Sequence, residues 1–239
     1  MLHKPDISRV SDTTISGSTG GTSIQLDFYG NRIDSTLDSN SSVVCLANGS
    51  WIETPDGARL VEELEVGDLV ETLDRGAQPI RMICEKRLGP KDFARNSNLF
   101  PICLRKGAIA PNQPTADLWV SPQHRMLLTG SRVELLFGQE MLLIKAKAFA
   151  EFGDMAFTDR KRRSLTYYHI LFDRHEIIFA NDAPTESFYP GKQAVKSLDE
   201  EERRELFTLF PELQGGVPDY RSEDHATLRG WEAAVALAY

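Results

Sequence analysis

From residue 43 to residue 190 the chain is cut into short apolar runs, each stopped by a turn signal. WIET meets PDG, LVEEL meets EVGD, LVETL meets DRGAQ, DLWV meets SPQ, and HEIIFA meets ND, with PIRMI and RMLLTG between them. Runs of about four to eight residues are too short for amphipathic helices and right for strands, so this spacing predicts an all-β domain. Two stretches inside it, near 91–98 and at IKAKAFAE (144–151), suit single helical turns. RKRRS (160–164) reads as a solvated hairpin tip.

The flanks differ. Residues 1–42 form a polar leader rich in Ser, Thr, Asp and Gly, expected to be loosely ordered, with one alternating piece, SIQLDFYG, that suits a strand. Its SGSTGGTS run lacks the Lys of a phosphate loop. Residues 191–239 turn helical and acidic, with ten acidic and six basic side chains from 192 onward. SLDE at 197–200 has the form of a capping box, Leu206, Leu209 and Phe210 follow at helical spacing, and Pro211 stops the helix. A second helix is expected within SEDHATLRGWEAAVALA, and this tail either packs on the β domain or follows it.

A net charge of -8 offers no basic field to draw the chain to nucleic acid or an anionic bilayer. No window approaches the roughly 20 apolar residues of a membrane span, and the N-terminus has no apolar signal core. The expectation is a soluble protein, cytoplasmic or exported by a route independent of a signal peptide. Three cysteines, Cys45, Cys84 and Cys103, are an odd number with no CxxC pair, which argues against a disulfide framework and a cysteine-rich zinc site. Cys84 and Cys103 lie in apolar strands and read as core. Cys45 stands where the leader ends and the strand pattern begins.

CLANGSWIETPDG from Cys45, LEVGDLV at 64–70, VSPQH at 120–124 and HEIIFANDAPTESF at 175–188 occur in an order that resembles the Hint domain of Hedgehog autoprocessing domains and inteins. The likeness is greatest to its bacterial branch with VSPQH and APTESF signatures. It implies a compact, horseshoe-like all-β fold over 43–190 with a short helical tail. It also implies a function, self-processing at the peptide bond before the cysteine, Val44–Cys45.

Amide resonance makes that bond planar and unreactive, with a rotation barrier of about 18–20 kcal/mol, so a thiol attacking it needs help. A base or a favourable field can supply thiolate, an imidazole can protonate the departing nitrogen, and hydroxyl or backbone donors can hold the oxyanion. The resemblance places Cys45 as nucleophile and Ser121 and His124 at the family's Thr-x-x-His positions. His124 is then the general acid of an N-to-S acyl shift that leaves a thioester on Cys45. His175 falls in the segment that resembles the C-terminal intein motif, with Asp173 as an orienting carboxylate sharing its face if the segment is extended. His3, His169 and His225 receive no role in this reading, and Trp51, Trp119 and Phe172 are expected in the core. Asp68 is expected to cap a bend.

The departures matter as well. Where an intein ends in His-Asn and a nucleophile, this chain has Glu186 and Ser187 and continues, so splicing is not expected. Asp182 replaces a Gly in a turn that calls for positive φ. No sterol-recognition segment follows. The expected reaction is therefore one cleavage, with the chain's own N-terminal segment as substrate and water or a small nucleophile as acceptor, without cofactor or metal. Zinc on Cys45, His124 and His175 would occupy the nucleophile and inhibit. The alternatives are a catalytically decayed Hint-fold binding module and a cysteine hydrolase acting in trans.

Overall fold

In the computed structural model the apolar runs become short strands joined in antiparallel ladders. The structure describes residues 25–26, 32–33, 44–188, 190, 195, 198, 200–210 and 225–238. One sheet has the order β13 (Ala156–Thr158), β9 (Ile102–Leu104), β10 (Leu118–Val120), β3 (Leu46–Ala47), β14 (Leu165–Leu171) and β8 (Met82–Leu88). The other follows β12 (Met141–Lys145), β11 (Arg125–Thr129), β16 (Ala183–Glu186), β15 (Ile177–Ala180), β4 (Trp51–Ile52) and β5 (Arg59–Leu60). There β6 (Leu69–Thr72) also pairs with β15, and β7 (Gly76–Pro79) with β6. All of this lies in the compact unit of residues 39–239, whereas β1 (Gln25–Leu26) and β2 (Arg32–Ile33), the partners in the leader, belong to a separate unit of residues 1–38.

Side chains from both sheets meet in one apolar cluster that includes Ile52, Val70, Ile80, Leu104, Val120, Met126, Ile144 and Ile178. Each is essentially removed from water, and such burial stabilises by roughly 1.5–3 kcal/mol per large aliphatic side chain. The core therefore holds the two sheets, and with them the strand ends that carry polar groups, in fixed relation.

Turn chemistry sets the registers. Asn181 and Asp182 both take positive φ, 47° and 63°, and join β15 to β16 as a two-residue hairpin with Ala180 opposite Ala183. Primed turns of this kind match strand twist, and Asn and Asp are the non-glycine residues that tolerate them best. Asp182 thus adopts the conformation that its replacement of Gly had put in question. Asp68 caps its bend as expected, accepting the Glu65 amide at 2.8 Å and the Arg59 guanidinium at 2.8 Å.

Helices depart from expectation in two places. The turns expected near 91–98 and 144–151 are α1 (Pro90–Arg95) with a 3₁₀ turn at Ser97–Leu99, and α3 (Ala146–Phe152). Between β11 and β12 the chain adds α2 (Ser131–Phe137), which the strand-like pattern did not announce, because it buries only Val133 and ends on left-handed Gly138. In the tail, α4 (Glu200–Leu209) matches the first expected helix, but α5 covers only Gly230–Leu237 of the second. The Ser197 cap lies outside the described residues. Trp51, expected in the core, is 46% exposed, because β4 turns Ile52 inward and Trp51 outward.

The tail packs on the sheet. Leu206 and Phe210 join Met82, Cys84, Leu171 and Phe188 in a second buried cluster, and Ala233 of α5 joins the main core. Leu206→Ala should cost about 3 kcal/mol through lost contact and residual cavity, read as a lower urea midpoint at unchanged slope. Leu209→Ala, at a side chain 45% exposed, should shift the midpoint little; equal losses at both positions would contradict this packing.

Candidate active site

Cys45 immediately precedes β3, which is paired on both edges. Leu46 stands opposite Val120 of β10 and opposite Tyr168 of β14. In antiparallel ladders the next position back on β3 faces the next position forward on each neighbour. Cys45 is therefore flanked by Ser121 and His169 through register alone.

The hydrogen bonds follow that placement. The Cys45 amide donates to Ser121 Oγ at 3.0 Å, and the Ser121 amide donates to the Cys45 carbonyl at 3.0 Å. On the other edge His169 Nδ1 lies 2.7 Å from the Val44 carbonyl oxygen, and Nε2 lies 3.4 Å from Cys45 Sγ. A carbonyl can only accept, so Nδ1 carries the ring proton toward Val44. Burial lowers the His169 pKa to about 4 despite that carbonyl, with the Lys86 charge adding to the fall. The ring is thus neutral near pH 7, and Nε2 is the lone pair that receives the Cys45 S–H. Burial also pushes the Cys45 thiol well above its ordinary range, against the opposing pull of the Ser121 hydroxyl and the Lys86 charge. The resting pair is a thiol hydrogen-bonded to a neutral imidazole.

His124 is buried at 1% exposure and anchored through its other face. Thr185 Oγ1 donates to the Arg125 carbonyl at 2.9 Å, so it accepts from His124 Nε2 at 2.5 Å. That leaves His124 Nδ1 as a buried lone pair without a hydrogen-bond partner among the described residues. Burial, then the His169, Arg125 and His175 charges, lower its pKa to about 3. The expected general acid therefore rests with Nδ1 unprotonated and must take up a proton before it can give one.

APTESF is the brace behind these groups. Thr185 holds His124, and the fully buried Glu186 carboxylate accepts the Arg125 amide at 2.8 Å and approaches His175 Nε2 at 3.5 Å. Ser187 Oγ accepts the Glu176 amide at 2.9 Å, and the Phe188 ring lies against His169 at 4.9 Å between centroids.

Of the sequence-derived residues, the structure sets Ser121 against Cys45, holds His124 three positions further on through Thr185, and places His175 beside Glu186. Asp173 does not share a face with His175: the chain bends at 173–174 instead of extending, and the half-exposed Asp173 carboxylate takes the Arg81 guanidinium at 2.8 Å. His169 was missed. Its signal was available, since it alternates with the apolar Leu165, Tyr167 and Leu171 on the buried face of β14, where a polar side chain must find a partner.

All three cysteines are buried, and none is in a disulfide. Among the described residues no group of three or more His, Cys, Asp or Glu side chains is arranged to hold a metal ion, and no helix is long and apolar enough to cross a membrane.

A family model described as a Hint domain matches residues 44–192. The chain belongs to this family of self-processing domains, and the match begins at the residue before Cys45. Among solved structures it is similar to a substituted form of the gp41-1 intein, at 11% identity and a TM-score of 0.34. That match covers 59% of this chain and 97% of the intein. No curated protein matches the sequence.

Both imidazoles carry a pH signature. Unfolded, each takes a proton near pH 6.5; folded, they take one only near 4 (His169) and 3 (His124). Between these values the unfolded chain binds more protons, so their contribution is complete above about pH 6.5 and is lost as pH falls through the window. The urea midpoint should fall between pH 7 and pH 4.5, and His169→Gln should shrink that fall. An equal pH dependence in both proteins would contradict a buried neutral His169.

Proposed function

We propose that this chain cleaves itself once, at the Val44–Cys45 peptide bond, through a thioester on Cys45 and without splicing. The observation that carries the reading is the double contact of His169, which touches the carbonyl to be attacked and the thiol that would attack it.

His169 Nε2 takes the thiol proton as Sγ approaches the Val44 carbonyl carbon. Charge then develops on the Val44 oxygen, where the Nδ1–H already lies at 2.7 Å, and the imidazolium formed by the transfer strengthens that contact. Donors set in advance where charge will develop are among the largest contributions to catalysis. Ser121 fixes the nitrogen of the bond through the Cys45 N–H. As the C–N bond breaks and the C–S bond forms, the proton lost by sulfur must reach the Cys45 nitrogen. His124 Nδ1, an unoccupied acceptor charge-coupled to His169, is suited to receive and pass it. The balance is one thiol and one amide converted to one thioester and one amine.

Hydrolysis of the thioester releases the leader with a carboxylate at Val44 and a domain that begins with Cys45. The position where an intein carries its terminal Asn holds Glu186, buried and committed to Arg125 and His175, so no side chain there is available to cyclise. Asp173 has no part in these steps, and His175 acts only through Glu186.

Intact mass of the purified chain, with and without dithiothreitol, should show fragments split between Val44 and Cys45. Cys45→Ala should give none, and His169→Gln should slow the split by about 10²- to 10⁴-fold, the usual worth of a positioned acid-base group. A wild-type chain that yields no such fragments under any thiol or pH would contradict the proposal and favour a decayed binding module.

A further inference from the structure

We infer that the surface beside the Cys45 cleft docks an acidic segment of a partner protein. The net charge of -8 conceals an uneven distribution. Residues 84–106 carry six Lys and Arg against two Asp and Glu, and residues 159–166 carry four against one. The fold brings these two stretches together. Leu165 stands opposite Leu88, which sets the end of the β13–β14 loop beside the end of β8 and the start of α1. The Asp159 amide donates to the Pro101 carbonyl at 2.8 Å, and the neighbouring Phe100 ring stacks on Phe93 of α1 at 4.6 Å between centroids. The surface borders the site, because Lys86 lines the cleft with Cys45, and Trp119 packs against the apolar cluster that contains Cys45.

The three acids of these stretches are engaged locally. Glu85 pairs with Arg87 at 2.9 Å, Asp159 pairs with Arg162 at 3.6 Å, and Asp92 accepts the Gly89 amide at 2.9 Å. Among the described residues no ion pair holds Lys86, Lys91, Arg95, Arg160, Lys161 or Arg163, and all six are exposed. Like charges gathered in this way repel one another and draw in groups of opposite sign. Carboxylates of a partner would relieve that repulsion.

The arginines are set in advance for such a partner. Arg160 lies over the Phe100 ring at 5.9 Å, Arg162 over Trp119 at 4.7 Å and Arg105 over Phe157 at 5.4 Å. Phe157, Cys103 and Trp119 are neighbours in register across three strands, so two of these rings belong to one rigid row. A guanidinium stacked on a ring loses less freedom on binding, and its N–H groups can still take a carboxylate in pairs. The same stacking disfavours a nucleic acid, because the rings on which bases would stack already carry a guanidinium.

The test is fluorescence anisotropy at low salt with the full-length Cys45→Ala chain, so that the result does not depend on self-cleavage. The labelled probes are a decaglutamate peptide, a glycine–serine peptide of equal length and a single-stranded DNA of equal charge. Decaglutamate should bind, more weakly as salt shortens the Debye length below about 10 Å, and the glycine–serine peptide should not. Arg160→Gln combined with Lys161→Gln should weaken binding by about fivefold. Lys91→Gln combined with Arg95→Gln, on the neighbouring α1, should do the same, which keeps the test decisive if one variant does not fold. Arg229→Glu, just before α5, changes the net charge by the same amount and should leave binding within about twofold. No binding of decaglutamate, equal binding of the glycine–serine peptide, or an equal loss in the Arg229→Glu chain overturns the proposal. Tighter binding of the DNA than of decaglutamate overturns it in favour of a nucleic-acid partner.

Discussion

The site depends on one constraint, the antiparallel register that fixes a two-residue strand between two neighbours. Because Leu46 faces Val120 on one side and Tyr168 on the other, Cys45 falls between Ser121 and His169. A slip of one residue on either ladder would turn Ser121 or His169 away from Cys45 to the opposite face. The core of Leu46, Val120 and Ile170 with residues of the second sheet prevents that slip. Packing energy is thereby converted into the position of a thiol, a hydroxyl and an imidazole around one peptide bond.

Burial then decides the protonation states, and it opposes ready-made charge. The thiol is pushed up and both imidazoles are pushed down, so the resting site holds no thiolate and no imidazolium. Neutral partners in contact are less reactive at rest than an ion pair, but the proton can move between them without a change in net charge. In a dry site the fixed donor at the Val44 oxygen is worth more than it would be in water, because solvent does not screen it. The cost of burying these groups is offset by their partners, the Val44 carbonyl and the Cys45 thiol for His169 and Thr185 of β16 for His124.

Much of this was legible in the sequence. The all-β class followed from the short apolar runs, and the Asn181–Asp182 turn from its position between two of them. Cys45, Ser121 and His124 came from ordered motifs, and in the structure Ser121 meets Cys45 while His124 is held by Thr185. His169 escaped because its motif, LTYYHIL, reads as an ordinary strand, and its significance lies in a partner 124 positions away in the chain. Asp173 was misjudged for a related reason: strand alternation holds only where a strand continues, and the bend after β14 delivers its carboxylate to Arg81. Helix α2 was missed because it lacks the apolar stripe by which sequence reading finds helices, with Leu135 turned 85% to solvent. Local pattern reports which faces are buried, whereas non-local pairing decides which groups meet there.

The central claim is that neutral His169 joins the Val44 carbonyl to the Cys45 thiol through defined tautomer chemistry. The most direct measurement is the ¹⁵N spectrum of the histidine rings at pH 7 in the uncleavable Cys45→Ala chain, with His169 assigned by its loss in a His169→Gln variant. The account requires His169 protonated at Nδ1 and bare at Nε2, and His124 in the opposite tautomer with its proton on Nε2 toward Thr185. A His169 ring that is doubly protonated, or protonated at Nε2 alone, would contradict it.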